Sequence, residues 1–443
     1  MLMVELDMLN YSRRVVDVEL DELLPGLPAI SLDGPKGVGK TATAARRASA
    51  EFRLDNQATA QAFEAAENPF AGYPAGTLLV DEWQRVPSSW DLVRRSVDAG
   101  AAPGRFLLTG SAVPRGTDIH SGAGRIVSVR MRPLSLAERD VGDPTVSLAS
   151  LLQVGDKLSA PTNTQELPAI AGRTDVELRD YVREITGSGF PGIRLLNARA
   201  RRAQLDGYVE RIVGREFAEM GVRVRRPESL RGWLRAYAAA TSSTASYSTI
   251  LDAATPGQSS KPAKETTVVY RDVLEQLWLL DPVPAWLPIG KDLTRLGAAP
   301  KHFLADPALA CRLLNLSEED LTHGHGVSPL GPQEGTMLGH LFEALVAASL
   351  QVYAQANEAR LGHFRTRNGD HEIDFIVERG PRQLVAVETK LARSVSDADV
   401  KHLVWLKRQL GDDLVDMIVV TTGDTAYRRR DGVAVVPAAL LGP

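Results

Sequence analysis

The chain is poor in cysteine: its 443 residues include one, Cys311. A lone thiol closes no internal disulfide and a thiolate zinc site needs more ligands, so a reducing, cytoplasmic setting is expected, with Cys311 a small core residue. Aromatic residues are few, at 6%, and neither sign of charge dominates: 51 Lys plus Arg face 55 Asp plus Glu, for a net charge of -4. That balance excludes a chain that grips nucleic acid by bulk charge, though it leaves room for a local basic face. No apolar run approaches the ~20 residues a membrane helix requires, so no membrane partner is expected. The start, MLMVELDMLNYSRR, carries acids and lacks the apolar stretch of a secretory signal. His302, His340, His363, His371 and His402 are scattered without a ligand spacing, which argues against a zinc site. What is present is an ordinary globular composition, 44% hydrophobic and 24% charged. At ~150 residues per domain, about three domains are expected.

The pattern along the chain divides accordingly, into 1–175, 176–320 and 321–443. In the first part, apolar runs at Pro28–Leu32, Gly76–Val80 and Arg105–Thr109 alternate with helical spacing, including a helix from Thr41 to about Phe52. Such alternation predicts a parallel sheet between helices, with ligands at the carboxyl ends of its strands. Residues 141–175 carry little pattern, and Ser159–Thr164 reads as a loop. The second part is mainly helical. It ends in a helix, a polar turn at Pro256–Lys264, a second helix at Val268–Leu279 and an extended piece at Val283–Ile289, a winged-helix-like order. The third part reads as helix Leu338–Ala354, three extended segments, helix Asp397–Leu410 and strand Met417–Thr422. The expected class is α/β.

Gly34-Pro35-Lys36-Gly37-Val38-Gly39-Lys40-Thr41 fits G-x-x-x-x-G-K-[ST] in full, between an apolar run and a helical one. Glycines let successive N–H groups turn inward around an anion, and the helix N-terminus adds partial positive charge. Lys40 is placed to reach the β- and γ-phosphates of ATP, and Thr41 to give Mg²⁺ a hydroxyl. Downstream, Leu78–Val80 delivers Asp81 to the metal and Glu82 to the attacking water. Thr109 and Ser111 end the third run, where they either sense the γ-phosphate or cap their own turn.

The phosphate loop, Asp81-Glu82, Leu107-Leu-Thr-Gly-Ser111 and the Gly124-Arg125-Ile126 leading to Arg132-Pro-Leu-Ser135 resemble the AAA-type ATPase module of a widespread prokaryotic family. In that family the module is fused to a C-terminal domain of unknown function. The resemblance implies an AAA+-like fold with Thr109 at the sensor-1 position. It also makes Arg125 a candidate finger that stabilises charge, usually on a neighbouring copy in a homo-oligomer.

The C-terminal part carries a second constellation. Glu372 and Asp374, two apart in an extended segment, project to one side, as do Glu388 and Lys390. Glu343 stands upstream on a helix. Any one of these is equally the wet face of an alternating strand. Together they resemble the PD-(D/E)XK nuclease fold, which implies that Asp374 and Glu388 hold Mg²⁺, that Glu343 lies near the metal and that Lys390 positions or activates water. Hydrolysis of a phosphodiester needs such hard oxygen ligands and a nearby cation.

Between Arg199 and Arg235 stand ten arginines and five acids, with Tyr208, Phe217, Trp233 and Tyr237 interleaved. This is either a surface that tracks nucleic acid and stacks on bases or an amphipathic helix with a solvated basic face. If the winged-helix order holds, Ser260, Lys261 and Lys264 meet phosphates. The expectation is thus an ATPase whose nucleotide state controls a nucleic-acid-binding or Mg²⁺-dependent nuclease-like domain, DNA ahead of RNA. The alternative is a switch with negligible turnover that recruits a protein partner through an inactive nuclease-like scaffold, and Glu82 speaks against it. No Leu-Ser-Gly-Gly signature of a transporter motor occurs.

Overall fold

A computed structural model describes residues 11–112, 122–152, 167–254, 263–287, 299–323, 336–366 and 368–443. The Ser159–Thr164 loop and the candidate phosphate contacts Ser260 and Lys261 lie outside the described residues.

The first region builds a parallel sheet. After helix α1 (Val15–Leu23) come β1 (Ala29–Asp33), α2 (Lys40–Ala45), β2 (Ala48–Arg53), α3 (Gln57–Ala65), β3 (Thr77–Asp81), α4 (Ser88–Asp98), β4 (Phe106–Gly110) and β5 (Val127–Arg130). The strand order is β2-β3-β4-β1-β5, with all pairs parallel. Period-two alternation divides the strand residues between two cores: Ile30, Leu32, Leu79 and Leu107 face one side, and Ala29, Leu78, Val80, Phe106 and Leu108 the other. Because β4 lies between β1 and β3, Thr109 stands between the phosphate loop and Asp81.

One expectation is corrected here. The helix expected from Thr41 to about Phe52 ends at Ala45, and residues 48–53 form the edge strand β2. Alanine favours helix locally, but pairing with β3 and burial of Phe52 against Phe63 and Phe70 win.

After two short strands, β6 (Val146–Ser147) and β7 (Gly172–Arg173), the middle region is helical: α5 (Leu178–Gly187), α6 (Ala198–Arg211), α7 (Pro227–Ala239), α8 (Tyr247–Ala254), α9 (Lys264–Gln276) and α10 (Pro307–Leu313). Helix α6 runs into a π-helical turn, Ile212–Glu216. After α9 a small antiparallel hairpin forms through the bridges Leu280–Leu304 and Val283–Lys301, and Ala285 bridges onward to His363.

In the third region α11 (Met337–Ala356) precedes β8 (Arg360–Arg365), β9 (Glu372–Gly380), β10 (Gln383–Lys390), α12 (Asp397–Leu410), β11 (Leu414–Thr421), β12 (Thr425–Arg428) and β13 (Ala434–Pro437). Strands β10 and β11 are parallel with α12 as their crossover, and β8, β9 and β10 are antiparallel. Phe375, Val377, Val385 and Val387 join the core beneath α11, while Ile376, Leu384 and Ala386 join the one beneath α12. Helix α11 is long and apolar enough by composition to cross a membrane, which the reading of apolar runs did not anticipate, but most of it is buried inside the protein.

The segment before the boundary expected at 175 also packs on the C-terminal region. Val146–Ser147 pairs in parallel with Leu441–Gly442, and Gly172–Arg173 extends the C-terminal sheet beside β12. Two-residue strands are too short to leave an alternating pattern, so the sequence there carried no signal. The three regions share one apolar cluster, running from Ile30 and Leu79 through Trp233 and Tyr237 to Leu345, Phe375 and Val420.

Candidate functional site

The phosphate loop turns between β1 and α2 on backbone that only glycine adopts easily. Gly37 and Gly39 have φ of 80° and 106°. A Cβ on Gly34 would lie 2.2 Å from the Met131 carbonyl oxygen. Val38 is fully buried and its carbonyl accepts from Arg14 Nη1 at 3.0 Å, while Arg14 Nε donates to Glu138 at 2.9 Å. Lys40 is 5% exposed, and its Nζ donates to the carbonyls of Gly34 at 2.8 Å and Pro35 at 2.9 Å. Burial pulls its ammonium down to about 8 despite the opposing pull of Glu82, Asp33 and Asp81.

The acid pair meets the loop. Thr41 Oγ1 donates to Asp81 Oδ1 at 2.8 Å, and Thr109 donates to the same oxygen. Glu82 takes the left-handed conformation at φ 54°, and its N–H donates to Thr109 Oγ1 at 3.3 Å. Its carboxylate accepts from Gln84 Nε2 at 2.5 Å, and Gln84 also reaches Ser111 Oγ at 3.4 Å. A hydroxyl and a carboxylate in contact beneath an anion-binding loop suit Mg²⁺, which takes one or two protein oxygens plus phosphate and water. Lys40, Thr41, Asp81, Glu82 and Thr109 are thus brought together. Arg125 lies apart from them, half-exposed and paired with Asp98 at 2.8 Å.

Several partners of this site escaped the sequence. Lys36 Nζ bonds Glu216 at 2.5 Å and Glu219 at 3.1 Å, so the π-helical turn of the middle region holds the phosphate loop. Tyr208 OH donates to the Lys36 carbonyl at 3.1 Å. Behind the sheet, Asp281 accepts from Arg130 at 2.9 Å and Arg132 at 2.8 Å, and Arg132 also reaches Gln355 on α11 at 2.9 Å. No local pattern signals these contacts, because each partner lies in another region of the chain.

The arginine-rich stretch resolves toward its plainer alternative. Phe217, Trp233 and Tyr237 are buried, with Trp233 stacked on Tyr237 at 5.3 Å, so they offer no face to a base.

In the C-terminal region Glu343, Asp374, Glu388 and Lys390 do converge. Asp374 Oδ2 accepts from the Thr389 N–H at 2.8 Å, and Lys390 Nζ donates to Glu388 at 2.7 Å. A residue the sequence reading passed over lies among them: Lys301 Nζ is 2.8 Å from Asp374 Oδ1 and 2.6 Å from Glu343 Oε1. Burial and the Asp374 charge push the Glu343 and Glu388 carboxyls well above the usual carboxylate range. Among the described residues no group of three or more His, Cys, Asp or Glu is arranged to hold a metal ion. The Lys301 ammonium thus touches two of the three carboxylates, Glu343 and Asp374, that the resemblance assigned to Mg²⁺. The lysine comes from another region, beyond the reach of a local motif.

The phosphate loop, its acid pair and the strand order define an AAA-type P-loop ATPase domain. Residues 27–139 match the family model described as an AAA domain. Residues 178–320 and 338–441 match two domains of unknown function, DUF8612 and DUF4143. Among curated proteins, the uncharacterized Rv2008c of Mycobacterium tuberculosis and Mb2031c of Mycobacterium bovis are each 26% identical over 434 residues, covering 96% of this chain and 83% of theirs. Among solved structures, a Walker-type ATPase of Pyrococcus abyssi aligns at TM-score 0.37 and 18% identity, over 67% of this chain and 94% of its own. The ORC2 protein of Aeropyrum pernix aligns at 0.26 and 14%, over 68% and 89%.

Proposed function

We propose that the chain binds and hydrolyses ATP and that its nucleotide state is passed through the middle region to a C-terminal domain that binds nucleic acid, DNA ahead of RNA. The observation that carries the first half is the contact of Thr41 with Asp81 beneath the phosphate loop. Lys40 leaves two neutral carbonyls for the β- and γ-phosphates, a stronger partner for an ammonium. Thr41 and Asp81 hold Mg²⁺, which supplies charge neutralisation across the phosphates. Glu82 orients and deprotonates the attacking water once freed from Gln84, and Thr109 holds Asp81 in register. Arg125, exposed at the domain surface, is offered to a neighbouring copy.

Coupling runs through Lys36. Its ammonium is shared between the loop that receives phosphate and the π turn carrying Glu216, and such turns recur at functional sites. A triphosphate in the loop competes with Glu216 and Glu219 for that charge and so shifts the middle region.

For the target, the helices α7, α8 and α9 followed by a hairpin support a winged-helix-like module. A groove of about 690 Å³ along α12, where Asp397 and Asp431 hold Arg429, offers the cations of Lys401, Arg408 and Arg430 and the ring of Trp405 to a polyanion. Phosphate release measured with and without DNA tests this reading. Lys40→Ala should lower the rate by about 100-fold or more, and DNA should raise it in the parent but not in Arg408→Glu/Arg430→Glu. An unchanged rate in Lys40→Ala overturns the ATPase reading, and an unchanged DNA response in the groove variant overturns the target.

A further inference from the structure

The C-terminal carboxylates hold a cation that the chain itself supplies. Lys301 belongs to the hairpin of the middle region and its side chain is 2% exposed. Besides Asp374 and Glu343, its Nζ stands 3.8 Å from Glu372 and 5.6 Å from the centroid of the Phe375 ring. The other cation, Lys390, is bound to Glu388. Two ammonium groups thus face the three buried carboxylates that the nuclease resemblance assigns to a metal.

A magnesium ion would need oxygens at about 2.0–2.1 Å in near-octahedral array. The same Asp374 and Glu343 oxygens already contact Nζ at 2.8 and 2.6 Å, and two cations on the same oxygens repel strongly in a low-dielectric site. The backbone that carries Lys301 is also fixed in place. Its own strand is held by the Lys301 N–H donating to the Val283 carbonyl at 2.8 Å, and the Val283 N–H donates back at 2.9 Å. The hairpin is in turn bonded to β8, with Trp286 N–H donating to the His363 carbonyl at 2.7 Å and His363 N–H to the Pro284 carbonyl at 2.9 Å.

We propose that Lys301 is the resident cation of this cluster, so that the C-terminal domain takes up no divalent metal there and does not cut phosphodiesters by metal-assisted hydrolysis. The cluster is a joint: it fastens the middle hairpin to the C-terminal sheet, and a movement of the middle region carries that sheet with it. This goes beyond the ATPase reading and does not depend on it.

The test is Mn²⁺ binding to the full chain without nucleotide, followed by the electron paramagnetic resonance of free Mn²⁺. The parent and Glu388→Gln should bind equally weakly. Lys301→Met, which removes the charge and keeps the length, should gain one site at least tenfold tighter, and adding Asp374→Asn should abolish it. A parent whose Mn²⁺ affinity falls tenfold or more in Glu388→Gln overturns the proposal, as does a folded Lys301→Met that gains no site. Should Lys301→Met fail to fold, the parent and Glu388→Gln decide alone: equal weak binding supports the proposal and a loss refutes it.

Discussion

Among the described residues two buried lysines stand beside carboxylates, and they are held in opposite ways. Lys40 rests on two neutral carbonyls of its own loop, with Asp81 and Glu82 close by but bonded elsewhere. Lys301 is clamped by the carboxylates of Asp374 and Glu343. The first arrangement is poised to accept a better anion, because neutral acceptors are weaker partners than phosphate oxygens. The second already holds a cation that the chain itself supplies. The same residue types therefore make a ligand site in one region and a structural joint in the other, and the difference is whether the ammonium has an ionised partner within the protein.

The comparison can be broken most sharply at Glu82. Glu82→Gln should cut ATP turnover by about 1000-fold while leaving ATP binding intact, because the carboxylate acts on water and not on nucleotide. Phosphate release and equilibrium binding of a fluorescent ATP analogue check the two halves separately. At the other lysine the effect should fall on stability. Lys301→Ala leaves Asp374 and Glu343 without their cation and should cost about 3–5 kcal/mol in urea unfolding. Lys40→Ala, losing only neutral hydrogen bonds, should cost about 1–2 kcal/mol.

A third expectation concerns pH at the same joint. His363 is buried, its Nε2 contacts the Ala299 carbonyl at 2.8 Å and its Nδ1 has no partner. Burial, set against the Ala299 contact, lowers its pKa to about 4. The unfolded chain binds that proton at about 6.5, so above 6.5 the contribution to stability is complete, and it is lost as pH falls from 6.5 towards 4. The unfolding free energy from urea titration should drop across that window by up to about 3 kcal/mol, and His363→Gln should flatten the dependence. The smallest effect is expected at Glu216→Gln. Freeing Lys36 from one charge should tighten ATP binding by about threefold to tenfold, within the range of a partly exposed ion pair. Isothermal titration would show it, and weaker binding would mean that Glu216 supports the loop and does not compete with phosphate.

How much of this was legible follows from how far apart the partners lie. Gly34 to Thr41 is one contiguous motif whose spacing is dictated by a phosphate, and Asp81-Glu82 ends an apolar strand, so both could be read directly. The order of α11, β8, β9, β10, α12 and β11 was legible for the same reason, since each element carries its own period. Lys301, Glu216 and Asp281 were not, because each acts on a residue in another region and no local pattern encodes that meeting. The edge strand at 48–53 was misread because alanine-rich sequence favours helix until a neighbouring strand overrides it. The buried aromatics of 199–235 show the converse: an interleaved pattern of Arg and Tyr or Trp reads like a stacking surface, yet only tertiary packing tells which face is inward.

The pairing of Val146–Ser147 with Leu441–Gly442 bears on biosynthesis. The segment just after the ATPase sheet waits for its strand partner until residues 148–440 have been made. Contacts so distant in sequence form late and slow folding. A nascent chain whose ATPase sheet is already built therefore still carries Val146–Ser147 unpaired, an open seam of the kind that chaperones and proteases recognise.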